Sequence, residues 1–580
     1  MNCGMTFRKG ILTMRNIIWL IVGLLVPVYA GAQLLHDAKD LQFTRKDSLR
    51  GGLTPLRTAY DIVYYHLDVR IDPAERYLSG SNKIRFRVVE DLLRIQIDLF
   101  ENMKIERIAL DDKTALAFKR EFDAVFVDFP RKLTKHQVRE ITVYYSGSPI
   151  VARRPPWEGG FVWSKDKEGN PWVAVTCQGT GASLWWPTKE HQSDEPDSML
   201  LSVTVPPGLM NISNGRLRKT QTLADGWTRS DWFISYPINN YNVTVNIGRY
   251  AHFSDLYMSG SDMLTLDYYV LPENLEKAKR QFQQIKPMLA CFERYFGPYP
   301  FIRDGFKQIE SPHLGMEHQS ALAYGNNYLQ GYRGTSSSEV GVKFDFILIH
   351  EAAHEWWGNS VTSKDIGDMW IHESFGAYAE ALYVECLYGY EEAIKYVNGK
   401  KGNIGNQQPI IGVYGVNKEG SRDMYDKGQL VLNTLRHVIG NDALWFRIVR
   451  GLAEEFKYHT VTAEDVFGYI SRKSSMDLKY FFDQYFKTSA IPLLEISLVK
   501  RGERVTMRYR WQAGRADFRM PVRVTMARGK LETLVPTTEW KNVVLEDMHP
   551  DEFRVAEEQF YINVRITKRY VDPAAMEFTR

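Results

Sequence analysis

The chain has 580 residues, 44% of them hydrophobic and 13% aromatic, with 73 Lys plus Arg against 70 Asp plus Glu. That much apolar material excludes a disordered chain, and 42 Gly with 24 Pro exclude collagen-like and low-complexity classes. The length sets a scale of about three or four domains, and the near-balanced charge gives no electrostatic case for nucleic acid or an anionic membrane as partner.

At the N-terminus, Arg8, Lys9 and Arg15 precede an apolar run over residues 17–28, which closes on Ala30, Gly31 and Ala32. This is the pattern of a cleaved secretory signal, expected over residues 1–32, with Met14 as an alternative start. The run is shorter than the ~20 residues needed to span a bilayer, so no integral membrane anchor is expected in the mature chain. The expectation is export to a periplasm or out of the cell. Of four cysteines, Cys3 leaves with the signal, so Cys177, Cys291 and Cys386 allow at most one disulfide. The polar stretch 34–53 is expected to be flexible.

From Tyr60 to Gly248 apolar and polar residues alternate, as in Lys83-Ile84-Arg85-Phe86-Arg87-Val88, with Pro and Gly punctuation. Half-buried antiparallel strands are expected, forming a β domain over residues 33–254. The period then changes. Leu275, Ala278, Phe282, Ile285, Leu289, Phe292 and Phe296 recur at three- and four-residue steps, which predicts an amphipathic helix kinked at Pro287. Further helices are read through His350, over residues 373–388 and 430–439, from Thr462 with Asp465 as capping partner, and over 477–486. These make a mainly helical domain over 255–489. Alternation returns with Val505, Met507, Tyr509 and Trp511, predicting a small β-sandwich over 490–580. The fold class is multidomain α+β.

The strongest chemical signal is His350-Glu351-Ala352-Ala353-His354, after an apolar run and before Trp356-Trp357-Gly358. Residues four apart share one helix face, so two imidazoles can reach one Zn²⁺ while Glu351 stays beside it as a base. Glu373 begins another helical stretch, and a turn between the two helices brings it in as third ligand. Two His and one Glu leave a fourth position open, which is the form of a catalytic zinc site. His372 adjoins Glu373 but does not share its face, so it reads as packing or support. Glu380, seven residues beyond Glu373, either accepts the outer N–H of a ligand His or faces solvent.

With these residues the chain resembles the aminopeptidase N family of zinc metallopeptidases, the gluzincin aminopeptidases that also include the leukotriene epoxide hydrolase. The resemblance rests on the zinc set, on Leu314-Gly315-Met316-Glu317-His318, Tyr425-Asp426-Lys427-Gly428 and Gly297-Pro298-Tyr299-Pro300-Phe301, and on Gln178 before Trp185-Trp186-Pro187. It implies an N-terminal saddle-like β domain, a thermolysin-like catalytic domain and a small β-sandwich. It also implies that Glu317, within a substrate-binding segment with Gly315 and Met316, binds the free α-amine of a peptide. Gln178 becomes a second amine contact, and Tyr425 the phenol that stabilises the oxyanion. The family usually has Asn where this chain has His318 and His372.

The expected activity is removal of N-terminal residues from peptides with a free N-terminus, using one Zn²⁺, with Glu351 and Tyr425 as catalytic groups and His350, His354 and Glu373 as metal ligands. The rival readings are a zinc endopeptidase or epoxide hydrolase on the same site, and a peptide-binding scaffold without catalysis.

Overall fold

The computed structural model describes residues 42–571. The signal expected over residues 1–32 lies outside them. Part of the stretch expected to be flexible is a helix instead, Arg45–Gly51, closed at its start by a capping box in which Thr44 and Asp47 satisfy each other's backbone N–H groups. It is tied to the body where Gln96 Nε2 donates to Leu49 O at 2.9 Å and where the buried Arg57 donates to Arg50 O, Gly52 O and Asp98. Local polarity misreads this segment because its anchors lie dozens of residues away.

The first part of the chain is built on an eight-stranded sheet with Tyr60–Asp72 near its centre. Leu67, Val69 and Ile71 are buried there and alternate with half-exposed His66, Asp68 and Arg70, the period of a one-sided strand. Tyr60–Asp72 pairs antiparallel with Tyr77–Val88 but parallel with Ser198–Val205, so the sheet is mixed rather than wholly antiparallel as expected. Alternation reports burial of one face and carries no information on strand direction. Trp185 and Trp186 fill the core, the second edge-on to Tyr65. A separate four-stranded sheet contains Pro171–Thr176, which ends just before Gln178 and so fixes where that amide projects.

The strand Ala251–Ser259 crosses the boundary expected at residue 254, pairing into a five-stranded sheet that also holds Phe306–Glu310, Gly315–Met316 and Leu322–Tyr324. The helix kinked at Pro287 is two helices, Leu275–Gln281 and Ile285–Phe296, separated by a 3₁₀ turn at Phe282–Gln284. A proline clashes with the carbonyl four residues earlier, so the break falls in the turn before Pro287, which itself sits in the first turn of the second helix.

Three helices carry the site: α1, Phe346–Ala353; α2, Trp370–Tyr388; and α3, Asp426–Ile439. α2 is buried from Trp370 through Val384 and is apolar on nearly all sides, as befits a helix at the centre of a core. Two further helices, Tyr390–Gly399 and Asp442–Glu455, lie between the stretches read from periodicity. A disulfide joins Cys291 in the Ile285–Phe296 helix to Cys386 near the end of α2, while Cys177 is free and buried. After residue 490, Leu493–Arg501 lies between Arg504–Gln512 and Asn563–Val571 in a four-stranded sheet. These strands share one continuous core with the helices, and Tyr561 N–H donates to Thr434 Oγ1 of α3 at 2.8 Å. Among the described residues no helix is long and apolar enough to cross a membrane.

Candidate active site

The α1 helix starts where Asp345 accepts hydrogen bonds from the backbone N–H of Ile347 and Leu348, and Asp345 is itself held by Gln281, Tyr324 and Asn326. This fixes the helix axis. His350 and His354, one turn apart, then face the same point, with their Nε2 atoms 3.3 Å apart. Glu373, in the first turn of α2, places Oε2 3.6 Å from His350 Nε2 and 3.5 Å from His354 Nε2.

Whether these groups fit a metal is decided by their outer contacts. His350 Nδ1 lies 2.7 Å from Glu380 Oε1, and His354 Nδ1 lies 2.8 Å from the carbonyl oxygen of Trp357. Both Nδ1 atoms are therefore the protonated donors, so two Nε2 lone pairs face each other beside a carboxylate oxygen, Glu373 Oε2, that is buried without a hydrogen-bond partner. Three electron pairs converging in a buried space call for a cation. Ligand atoms about 2.0–2.1 Å from a tetrahedral zinc stand about 3.3–3.4 Å apart, close to the 3.3, 3.5 and 3.6 Å found.

Glu380 faces inward, not solvent. Its second oxygen accepts from Tyr396 Oη at 2.7 Å and Lys400 Nζ at 2.5 Å. Burial alone would raise its pKa, but Lys400 and His350 outweigh that and hold it below the ordinary value. Glu380 thus stays ionised and fixes the tautomer of His350. Neither Tyr396 nor Lys400 is marked by any sequence spacing.

Glu351 projects from α1 toward the Gly315–Met316 strand. A Cβ at Gly315 would stand 2.6 Å from Glu351 Oε1 and 2.7 Å from Ile347 Cγ2, so only glycine lets strand and helix approach this closely. Burial, opposed by His350 and reinforced by the charge of Glu317, pushes the Glu351 carboxyl up to about 8. A carboxyl held beside the ligand set but outside it is placed to take a proton and return it.

Glu317 follows on the same strand segment and is buried. Gln178 reaches in from the first part of the chain, its Nε2 donating to Glu317 Oε1 at 2.9 Å and Glu373 Oε1 at 2.8 Å. Sequence reasoning missed the other support of Glu317. Ser363 N–H donates to His372 Nε2 at 2.8 Å, so the ring proton sits on Nδ1, which lies 3.3 Å from Tyr241 Oη. The Tyr241 hydroxyl then donates to Glu317 Oε1 at 3.1 Å. Histidine at 372 thereby acts at a distance on Glu317, keeping its neutral form because burial and the nearby His354 push its pKa down to about 3. His318 is buried edge-on to His313 with neither ring nitrogen partnered among the described residues; nothing in the structure explains histidine at 318.

Tyr425 caps the start of α3, its ring 6.0 Å from that of His350. The Met424 carbonyl before it accepts from Ser374 Oγ of α2 at 2.6 Å. A Cβ at Gly428 would lie 2.0 Å from that same Ser374 Oγ, which is why glycine follows Tyr425 by three residues: α3 must pack directly on α2. Burial and the charges of Glu373 and Glu419 raise the phenol well above its ordinary pKa, so it remains a donor. Glu317, Glu351, the metal triad, Gln178 and Tyr425 all line one cavity of about 570 Å³, together with Gly315, Met316 and Glu380.

Residues 280–485 match a family model described as the peptidase family M1 domain. The chain carries an M1 peptidase domain. The zinc set and the motifs at 297–301, 314–318 and 425–428 fall inside this match, while Gln178 and Trp185-Trp186-Pro187 lie outside it. The chain is 25% identical to human endoplasmic reticulum aminopeptidase 1 over 318 residues, 52% of this chain and 33% of that protein, so it spans about a third of that relative's length. It is 26% identical to rat aminopeptidase B over 481 residues, 75% of this chain and 68% of that one. Among solved structures, a mutant of the M1 zinc metallopeptidase of Deinococcus radiodurans bound to a Tyr-Ser-Ala substrate superposes with a TM-score of 0.61 at 18% identity, covering 73% of this chain and 93% of that one. At that identity the likeness is one of fold, and it extends the M1 architecture to the mixed α+β arrangement around the site.

Proposed function

We propose that this protein is a zinc-dependent aminopeptidase. The observation that carries the reading is a buried, clamped carboxylate, Glu317, on the wall of the cavity that holds a His-His-Glu ligand set. His350, His354 and Glu373 would hold one ion. The alternative grouping of Glu317, Glu351 and His354 shares His354, whose single free ring nitrogen serves one ion only. When bound there, zinc supplies a Lewis acid that polarises the scissile carbonyl and makes water a better nucleophile.

The chain's own groups do the rest. Glu351 takes the proton from the attacking water on its carboxylate and delivers it to the nitrogen of the leaving amine. The Tyr425 hydroxyl donates to the oxygen of the former carbonyl as charge develops. Glu317 and Gln178 hold the substrate's terminal ammonium, so that the first peptide bond lies at the metal. Export is the matching location, supported by the disulfide, which belongs to oxidising compartments, and by the signal-like N-terminal pattern.

An α-amine is cationic below a pKa of about 7.7 to 8 and gains a charge-assisted bond to Glu317 that an N-acetyl group cannot make. The wild-type protein should therefore hydrolyse aminoacyl anilides and free peptides but not their N-acetyl counterparts. In Glu317→Ala, kcat/KM for the free amine should fall sharply and the free-over-acetylated preference should shrink. Efficient cleavage of an acetylated peptide by the wild type would replace this reading by an endopeptidase on the same metal site.

Tyr241→Phe tests the support of that anchor. Loss of one hydrogen bond to a carboxylate should lower kcat/KM for free-amine substrates about tenfold, with zinc content unchanged. If kcat/KM stays at the wild-type value, Glu317 is positioned by Gln178 alone.

A further inference from the structure

Arg422 is a cation on the wall of the catalytic cavity that the mechanism above does not use. It opens the 3₁₀ turn Arg422–Met424 that leads into Tyr425. The base of the turn is fixed, since Ser421 Oγ accepts from Asp423 N–H, while the Asp423 carboxylate accepts from the backbone N–H of Gly405 at 2.9 Å and Asn406 at 2.7 Å. The Arg422 side chain is exposed, and among the described residues it has no hydrogen bond, ion pair or ring contact. The lysine on this wall, Lys400, is committed to Glu380 and lies 3.6 Å from Asp426. Carboxylates otherwise dominate the cavity wall, so away from the metal set Arg422 is the uncommitted cation a substrate acid meets among the described residues.

We infer that Arg422 binds a carboxylate of the peptide substrate, which rests on the aminopeptidase reading and narrows its substrate class. A guanidinium offers two parallel N–H donors that match the two oxygens of a carboxylate. With the substrate's ammonium at Glu317 and its carbonyl near Tyr425, that acid is either the side chain of an N-terminal Glu or Asp or a carboxylate beyond the scissile bond, the C-terminus of a short peptide. The competing role for Arg422 is to neutralise Glu419, whose carboxyl it lowers against a net rise to about 7 caused first by burial and next by Glu373. No ion pair joins the two.

The test compares acid-to-neutral ratios of kcat/KM in wild type, Arg422→Ala and Arg422→Lys, with zinc content measured in each. Glutamyl and glutaminyl anilides probe the first source; Leu-Gly-Gly as free acid and as amide probes the second. In one of the two pairs the ratio should fall about 10- to 100-fold in Arg422→Ala, the range of a hydrogen bond to a charged group. Arg422→Lys should retain part of it, because an ammonium keeps the charge without the fork. The pair that responds identifies the source. Unchanged ratios in both pairs overturn the inference, as does a uniform fall on acid and neutral members alike, which assigns Arg422 to Glu419. If the wild type cleaves none of the four, the aminopeptidase reading fails and the inference falls with it.

Discussion

Glu351→Gln should keep its zinc and lose turnover. The carboxamide has the size of the carboxylate, so the tight approach of α1 to Gly315, with 2.6 Å between Glu351 Oε1 and a Cβ built on that glycine, is preserved. The three ligand atoms come from other residues. What disappears is an acceptor for the water's proton, a loss that costs about 10²- to 10⁴-fold in rate. Metal analysis beside kcat for a leucyl anilide decides the matter. A metal-free variant would make Glu351 a ligand or a structural residue, and an active one would move the base elsewhere.

Tyr425→Phe should lower kcat by about 10²- to 10³-fold with little change in KM, because the hydroxyl matters chiefly once the carbonyl oxygen carries charge. The ring's place is set by contacts that phenylalanine keeps: its position over His350 and the anchoring of the preceding carbonyl by Ser374. The loss should therefore not be one of folding, which a melting temperature near that of the wild type would show. A kcat at the wild-type level would reduce Tyr425 to a helix cap.

The convergence of His350, His354 and Glu373 is legible in the sequence because local rules govern it. Helical spacing forces His350 and His354 onto one face, and Glu373 needs only a turn between consecutive helices. The same holds for the capping box at Thr462, present as read. Legibility fails where a contact closes a long loop. Tyr241 acts on Glu317 and His372 at separations of 76 and 131 residues, and no periodicity reports such a meeting. Lys400 sits in a run of Lys and Gly that looks like a solvated turn, yet it is buried against Glu380. The helix expected to kink at Pro287 breaks one turn earlier for a local reason, since proline acts on the residues preceding it. α2 shows the opposite case: buried on nearly all sides, it has almost no amphipathic period, and its motif rather than its pattern gives it away.

The amide of Gln178 has a consequence for how the molecule is put together. The metal set is complete within a single stretch, from His350 to Glu373, whereas the bonds from Gln178 to Glu317 and Glu373 join residues 139 and 195 positions apart. On the proposed function, the ligands for the ion and the supports of the amine anchor Glu317 thus come from different lengths of polypeptide. On that same reading, a change that loosens the first part of the chain from the helices takes Gln178 and Tyr241 away from Glu317, so the preference for a free chain end weakens while His350, His354 and Glu373 stay together in one stretch.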